Sequence, residues 1–407
     1  MKFVNRNKEL KILNEAPPGL YVVFGRRRIG KSSLLDKWGE KHSVSYTQAI
    51  EGSSILQIEQ CVEDLKEIIP EGIIPRSWEE FFSTLSLIDR PVSLVVDEFP
   101  YLVKSSPELP SIIQKWLDRK IPSKFCLILL GSSQTMMHGL FLDSRSPLFE
   151  RAKILLRLMP LGYRDFCECL SCDLNNLDTF ENYALVGGVP RYWEFLDPNM
   201  QASENASSLF FEDGARLENE PDRLLKDENI SGLQARSILE FIGRGAHRPS
   251  EIASRMKLNQ SSLSSVFQIL LNSALIHKET PFPATSSDNS KKALYRISDF
   301  ALRFWYKTYS PHRTRWYLYS KSEKQNLIHQ HSATVLEDSF RALYKDSSRY
   351  WEGDNIEIDS VRYDPENLKA VIITEIKHSN LSKSKRLIEE NNGDPATPRP
   401  WRLRRRG

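Results

Sequence analysis

No stretch of these 407 residues is apolar for long enough to span a bilayer, which takes roughly 20 consecutive residues of helix. The opening residues, Met1-Lys2-Phe3-Val4-Asn5-Arg6-Asn7-Lys8-Glu9, lack the apolar core of a secretory signal. A membrane partner is therefore not expected, and the cytoplasm is the expected location. Cysteine is scarce: five residues, an odd number in a long chain, do not read as a disulfide framework. Cys167, Cys169 and Cys172 cluster, but no His or Cys follows at a spacing that would complete a zinc site, so they read as reduced thiols on an amphipathic helix. An excess of charge is missing too. A net charge of +3 makes no global case for nucleic acid, so any basic surface must be local. What remains, 40% hydrophobic and 27% charged, is the composition of a soluble globular protein. The length predicts roughly two to four domains.

The most informative residues are Gly25-Arg26-Arg27-Arg28-Ile29-Gly30-Lys31-Ser32, a complete G-x-x-x-x-G-K-[ST] pattern. An apolar run, Leu20-Tyr21-Val22-Val23-Phe24, precedes it, and a helical run from Ser32 through Ser33 to Trp38 follows. A strand feeding a glycine-rich turn into a helix N-terminus aims backbone N–H groups at an anion, and the helix dipole adds to the attraction. Gly25 and Gly30 leave room for the tight turn and the phosphates. Lys31 is expected on the β- and γ-phosphates, and the Ser32 hydroxyl on Mg²⁺.

A second signal is Pro91-Val92-Ser93-Leu94-Val95-Val96-Asp97-Glu98, an apolar strand ending in adjacent carboxylates. After a phosphate loop this has the form of a Walker B motif, in which Asp97 orders Mg²⁺ and Glu98 polarises the attacking water. Phe125-Cys126-Leu127-Ile128-Leu129-Leu130-Gly131-Ser132-Ser133 is a further buried-type strand. Where such a strand lies between the two Walker strands, a polar residue at its end senses the γ-phosphate. Ser132 or Ser133 is a candidate, and capping the next helix is the competing role for either. Further strands are expected at residues 44–47 and 153–158, and alternation with helical stretches argues for a parallel sheet covered on both faces. No Asn-Lys-x-Asp motif is present to read guanine, so ATP is favoured over GTP.

Residues 161–220 read as helical, interrupted at Gly187-Gly188-Val189-Pro190-Arg191-Tyr192, and are expected to form a small lid. Arg191 and Arg151 are candidates for a phosphate contact, with surface or helix-packing roles as the alternative. From about residue 231, three short helices and a hairpin spell a winged helix-turn-helix, with Gln260, Ser261, Ser262 and Ser264 near the start of its recognition helix. Contact with DNA and packing against protein remain alternatives there. Residues 285–292 read as the wing tip. The aromatic segment 300–317 reads as core, with base stacking as the rival.

Near the C-terminus, Asn355-Ile356-Glu357-Ile358-Asp359-Ser360-Val361 and Val371-Ile372-Ile373-Thr374-Glu375-Ile376-Lys377 read as paired strands. They bring Asp359 near Glu375 and Lys377. Asp359 and Glu375 would hold Mg²⁺ and Lys377 would orient water, with Glu337 as a further ligand; ordinary solvated strand ends are the alternative. The Pro- and Arg-rich residues 391–407 read as a disordered basic tail, either a nucleic-acid arm or an out-of-frame ending.

The phosphate loop, Phe3-Val4-Asn5-Arg6-Asn7-Lys8-Glu9-Leu10, Gly131-Ser132-Ser133, Ser146-Pro147-Leu148-Phe149 and the Gly187–Tyr192 motif together resemble the archaeal-type ATPases. That family belongs to the signal-transduction ATPases with numerous domains, related to AAA+ proteins. The stretch 295–377 resembles an uncharacterised domain often fused to them and similar to PD-(D/E)xK nucleases. The resemblance implies an α/β fold. Its parts are a P-loop NTPase core with a five-stranded parallel sheet over 1–160, a helical lid over 161–225, a winged helix over 230–300 and a restriction-endonuclease-like domain over 301–390. The expected activity is a Mg-dependent ATPase switch, with ATP and DNA as partners and a nucleotide-dependent homo-oligomer as a compatible state. An ATP-regulated DNA endonuclease and a non-hydrolysing, ATP-binding DNA regulator are the alternatives.

Overall fold

The structure, a computed structural model, describes residues 1–377 apart from 120, 123, 284–291, 345, 353–355 and 367–370. The expected wing tip falls almost wholly outside the described residues, as do the basic tail and the end of the nuclease-like region. The chain divides into two compact units that alternate along the sequence. The first takes residues 1–160, 189–191 and 222–231; the second takes 161–188, 192–221 and 232 onward.

The first unit is built on a parallel sheet of β1 (Gly19–Phe24), β2 (Val44–Gln48), β3 (Val92–Asp97), β4 (Phe125–Gly131) and β5 (Ile154–Arg157), in the order β2-β3-β4-β1-β5. All five strands expected from the sequence are present, and β4 does separate the two Walker strands, β1 and β3. Every residue of β1 and of β3 is buried. That is why these segments read as unbroken apolar runs rather than alternating ones: helices cover both faces of a parallel sheet. One face packs Leu20, Val22, Leu94, Leu127 and Leu129 against Trp78, Phe81, Phe82 and Trp116 in a continuous core. The parallel register brings the C-terminal ends of β1, β3 and β4 to one edge. In an open α/β sheet that edge is where ligands bind.

The second unit is mostly helical. Its core is aromatic: Phe304, Tyr306, Trp305 and Tyr309 are buried, and Phe211 stacks on Trp316 with ring centroids 3.9 Å apart. The aromatic residues of 304–309 and Trp316 are therefore core, whereas Pro311, residues 313–315 and Tyr317 are exposed. Helices Leu233–Gly243, Pro249–Arg255 and Ser264–Asn272 precede an antiparallel hairpin of β6 (Ile276–Glu279) and β7 (Leu294–Ile297). This is the expected order of three helices and a hairpin. A long helix, Lys321–Ala342, starts at a capping box between Ser320 and Glu323. It is followed by the antiparallel sheet of β8 (Ser348–Glu352), β9 (Ile356–Tyr363) and β10 (Val371–Thr374), ordered β10-β9-β8. Among the described residues no helix is long and apolar enough to cross a membrane.

Candidate functional site

The loop after β1 has the backbone its glycines imply. Gly25 has φ 155°, and a Cβ there would lie 2.8 Å from the Leu158 carbonyl oxygen. Arg28 and Gly30 both take left-handed φ values, 69° and 92°, before the helix Lys31–Gly39 begins. Left-handed residues alternating with ordinary ones, as here around Ile29, can turn amide groups toward one concavity, an anion-binding nest. Lys31 is buried at 7% exposure, and its ammonium donates to the carbonyls of Gly25 (3.0 Å) and Arg26 (3.3 Å). Burial lowers its pKa, opposed by the charges of Glu98 and Asp97. The ammonium is thus held against its own loop by groups that a phosphate can replace. Ile29 is buried and fixes the turn to the core, while Arg27, Ser32 and Ser33 are exposed and Arg26 and Arg28 half-buried.

At the end of β3 the two carboxylates take different environments. Asp97 is 7% exposed; its Oδ1 accepts the Glu98 N–H at 2.7 Å, and its Oδ2 accepts the hydroxyls of Tyr46 at 2.5 Å and Ser32 at 3.3 Å. Burial, and then Asp97, push the Tyr46 phenol upward. Glu98 leaves the strand in the left-handed region, φ 53°, so its side chain does not follow the strand direction. Its Oε2 accepts the Ser132 hydroxyl at 2.7 Å. Ser133 caps the helix Gln134–Phe141 by accepting from Met136 N–H at 3.3 Å. The two candidate serines thus differ in their partners: Ser133 caps the helix, and Ser132 gives its hydroxyl to Glu98.

A hydroxyl and a buried carboxylate in contact across the sheet are hard oxygen donors, the chemistry suited to Mg²⁺. Mg²⁺ is commonly bound through one or two protein groups plus substrate phosphates rather than by an all-protein cage. Ser32 and Asp97 fit that ion. No group of three or more His, Cys, Asp or Glu is gathered to hold a metal among the described residues.

Further residues reach the same loops from distant parts of the chain. Asp227 accepts from Arg27 at 2.8 Å, and Glu228, 6% exposed, accepts from the backbone N–H groups of Gln134 and Thr135, each at 3.0 Å. Arg157, ending β5, donates to the Gln134 side chain at 2.8 Å. None of these, nor Tyr46, carries a sequence signal. A Tyr two residues before the end of a strand, or an Asp-Glu pair at the end of a helix, is commonplace until folding sets it beside the loop.

The remaining expected residues lie elsewhere. Arg151 is paired with Asp118. Arg191 is exposed at the start of the short helix Pro190–Trp193 and groups with the first unit. In the second unit, Asp359 on β9 and Glu375, just past the end of β10, each lie one residue beyond the ladder pair Ser360–Thr374. The Asp359 carboxylate accepts the Ile376 N–H at 2.8 Å, Glu375 is 72% exposed and pairs with Lys377 at 2.5 Å, and Glu337 pairs with Arg349 at 2.6 Å.

Residues 3–196 match the model of a family described as an ATPase domain predominantly from Archaea. An uncharacterised protein of Methanocaldococcus jannaschii is 30% identical over 322 residues, covering 76% of this chain and 69% of that relative. A solved structure, the Walker-type ATPase of Pyrococcus abyssi, superposes with a TM-score of 0.56 at 19% identity, over 75% of this chain and 96% of its own. That likeness is one of fold.

Proposed function

The chain belongs to the family of archaeal-type ATPases, and we propose that it binds Mg-ATP at the C-terminal edge of its parallel sheet and hydrolyses it as a molecular switch. The observation that carries this reading is the Ser32–Asp97 contact at 3.3 Å beside a buried Lys31 and a separate Glu98. Lys31 would exchange its two carbonyl partners for the β- and γ-phosphates, and the amides of residues 25–33 would cradle them. Ser32 and Asp97 would hold Mg²⁺, which when bound neutralises phosphate charge. Glu98, kept apart from Asp97 by its left-handed backbone, would take the proton of the attacking water. Ser132 would hold Glu98 and read the γ-phosphate. Arg151 and Arg191 are assigned no contact with phosphate; Arg151 already has an acidic partner.

Within this reading residues 1–160 are the catalytic core, 161–225 a lid, 230–300 a winged helix and 301–390 a module moved by the nucleotide state. DNA is the proposed partner of the winged helix, because Gln260, Ser261, Ser262 and Ser264 are exposed at the start of its third helix. Nuclease chemistry is not adopted: Glu375 and Lys377 neutralise each other in solvent, and the Asp359 carboxylate is engaged by backbone. The deciding assay compares ATP turnover of wild type and Glu98→Gln with and without duplex DNA. Turnover that is lost in Glu98→Gln while ATP binding persists supports the proposal. ATP binding without turnover in wild type would leave a nucleotide-binding regulator instead.

A further inference from the structure

Residues 222–231 group with the nucleotide unit although the match to the ATPase family model ends at residue 196. Three consecutive residues in this returning segment each hold a different part of the site. Asp227 pairs with Arg27 of the phosphate loop at 2.8 Å. Asn229 Oδ1 accepts from Lys104, on the helix Phe99–Ser105 that follows Glu98, at 2.7 Å. Glu228, between them, accepts the Gln134 and Thr135 N–H groups at 3.0 Å and the Ser133 hydroxyl at 3.3 Å.

Glu228 is the unusual member. A carboxylate 6% exposed is expensive to bury unless hydrogen bonds compensate it. Burial does raise its pKa, with the Thr135 and Gln134 amides opposing. Those amides are donors of a first helical turn, which have no partner within the helix itself. Ser133 accepts from Met136, so Glu228 takes donors the cap leaves over and fixes the turn from outside. The residue before that turn is Ser132, whose hydroxyl is given to Glu98 at 2.7 Å. Glu98, with φ 53°, needs an external contact to aim its carboxylate.

We propose that Glu228 is a positioning residue for the hydrolytic carboxylate, acting through the Ser133–Thr135 turn and Ser132 to hold Glu98. The inference rests on the reading of Glu98 as the residue that activates water. It assigns part of the ATPase site to a residue beyond the family's own domain.

The test uses the full chain with Glu228→Gln, nearly isosteric but placing an amide against amide donors, and Ser132→Ala. Each is expected to lower kcat about tenfold, the worth of one hydrogen bond to a charged group, with ATP affinity changed by no more than about twofold. The double variant should fall no lower than the weaker single one, because both act along one line. Hydrogen exchange followed by mass spectrometry supplies a readout independent of turnover. In Glu228→Gln, peptides over 131–137 and over 97–101 should both lose protection. Loosening confined to 131–137, or kcat losses that multiply in the double variant, overturns the inference. Absence of turnover in wild type, or turnover indifferent to Glu98→Gln, overturns the hydrolytic reading, whereas unchanged exchange at 97–101 overturns the Glu228 role by itself.

Discussion

Tyr46 on β2 donates its hydroxyl to Oδ2 of Asp97 on the adjacent strand β3, at 2.5 Å, and the same oxygen receives Ser32 at 3.3 Å. Ser32 can turn toward a metal, which leaves the Tyr46 hydroxyl on Oδ2 and the Glu98 N–H on Oδ1 to orient the carboxylate. Tyr46→Phe should leave ATP affinity without Mg²⁺ unchanged. It should raise the Mg²⁺ concentration at which nucleotide binding is half-strengthened by roughly tenfold, one charged hydrogen bond's worth. A titration of nucleotide binding against Mg²⁺ reads this directly, and an unmoved or lowered midpoint would show that the hydroxyl does not orient Asp97.

Lys31 and Glu98 should separate binding from chemistry. Lys31→Ala removes a buried ammonium facing the loop, so ATP affinity should drop at least about tenfold. Glu98→Gln keeps shape and loses basicity, so affinity should hold while kcat falls by roughly 100-fold or more, the usual worth of a general base. Equilibrium binding and single-turnover rates on both variants distinguish the two. Equal losses in affinity would remove the division of labour.

Acid should destabilise the second unit. His331 is fully buried against the Ala184 carbonyl at 2.8 Å, and burial, with Lys307 and Arg303 nearby and Asp338 opposing, lowers its pKa to about 3. His247 is lowered to about 4 by burial and Arg296, with Glu251 and Glu279 opposing. The unfolded chain takes up protons at about 6.5, so it binds more of them than the folded protein between that pH and the folded values. Stability is then full above about pH 6.5 and declines as pH falls, by up to about 1.4 kcal/mol per pH unit for each histidine. Urea midpoints at pH 7 and pH 5 measure the slope, and His331→Gln should flatten it. A slope unaffected by that substitution counts against the assignment.

Gly243 lies in the helix Leu233–Gly243, where Ala is intrinsically better by about 1 kcal/mol. An added Cβ, however, would stand 2.4 Å from Tyr306 Cβ and 3.0 Å from its carbonyl carbon. Backbone cannot move aside cheaply, and overpacking costs roughly 1–3 kcal/mol or more. Gly243→Ala should therefore be net destabilising in chemical denaturation. A neutral or stabilised variant would mean that the two helical segments approach less closely than described.

Much of the first unit was legible in the sequence because its signals are local. Strands buried on both faces read as unbroken apolar runs, and the phosphate loop is one contiguous stretch whose glycines answer to specific backbone angles. Ser132 and Ser133 were indistinguishable on paper, since each is a hydroxyl at a strand end; only the cap to Met136 and the bond to Glu98 separate them. Glu228 was invisible for the opposite reason. Its meaning comes from amides 94 and 93 positions earlier in the chain, and no periodicity encodes such a meeting. In the C-terminal region the expected pairing of β9 with β10 is present, whereas the partners of Asp359, Glu375 and Glu337 had no local signal.

The interleaving of the two units along the chain also limits how this ATPase can be cut or transplanted. A fragment ending at Leu196, the last residue of the family match, would retain each phosphate-loop and Walker B side chain. It would still strip the Gln134 and Thr135 amides of their anionic cap and leave Arg27 without Asp227. Such a piece should be less soluble and less well ordered than the intact chain for reasons unrelated to nucleotide. The module is not a continuous cassette, so any graft of it onto another protein has to carry a second, later strip of sequence as well.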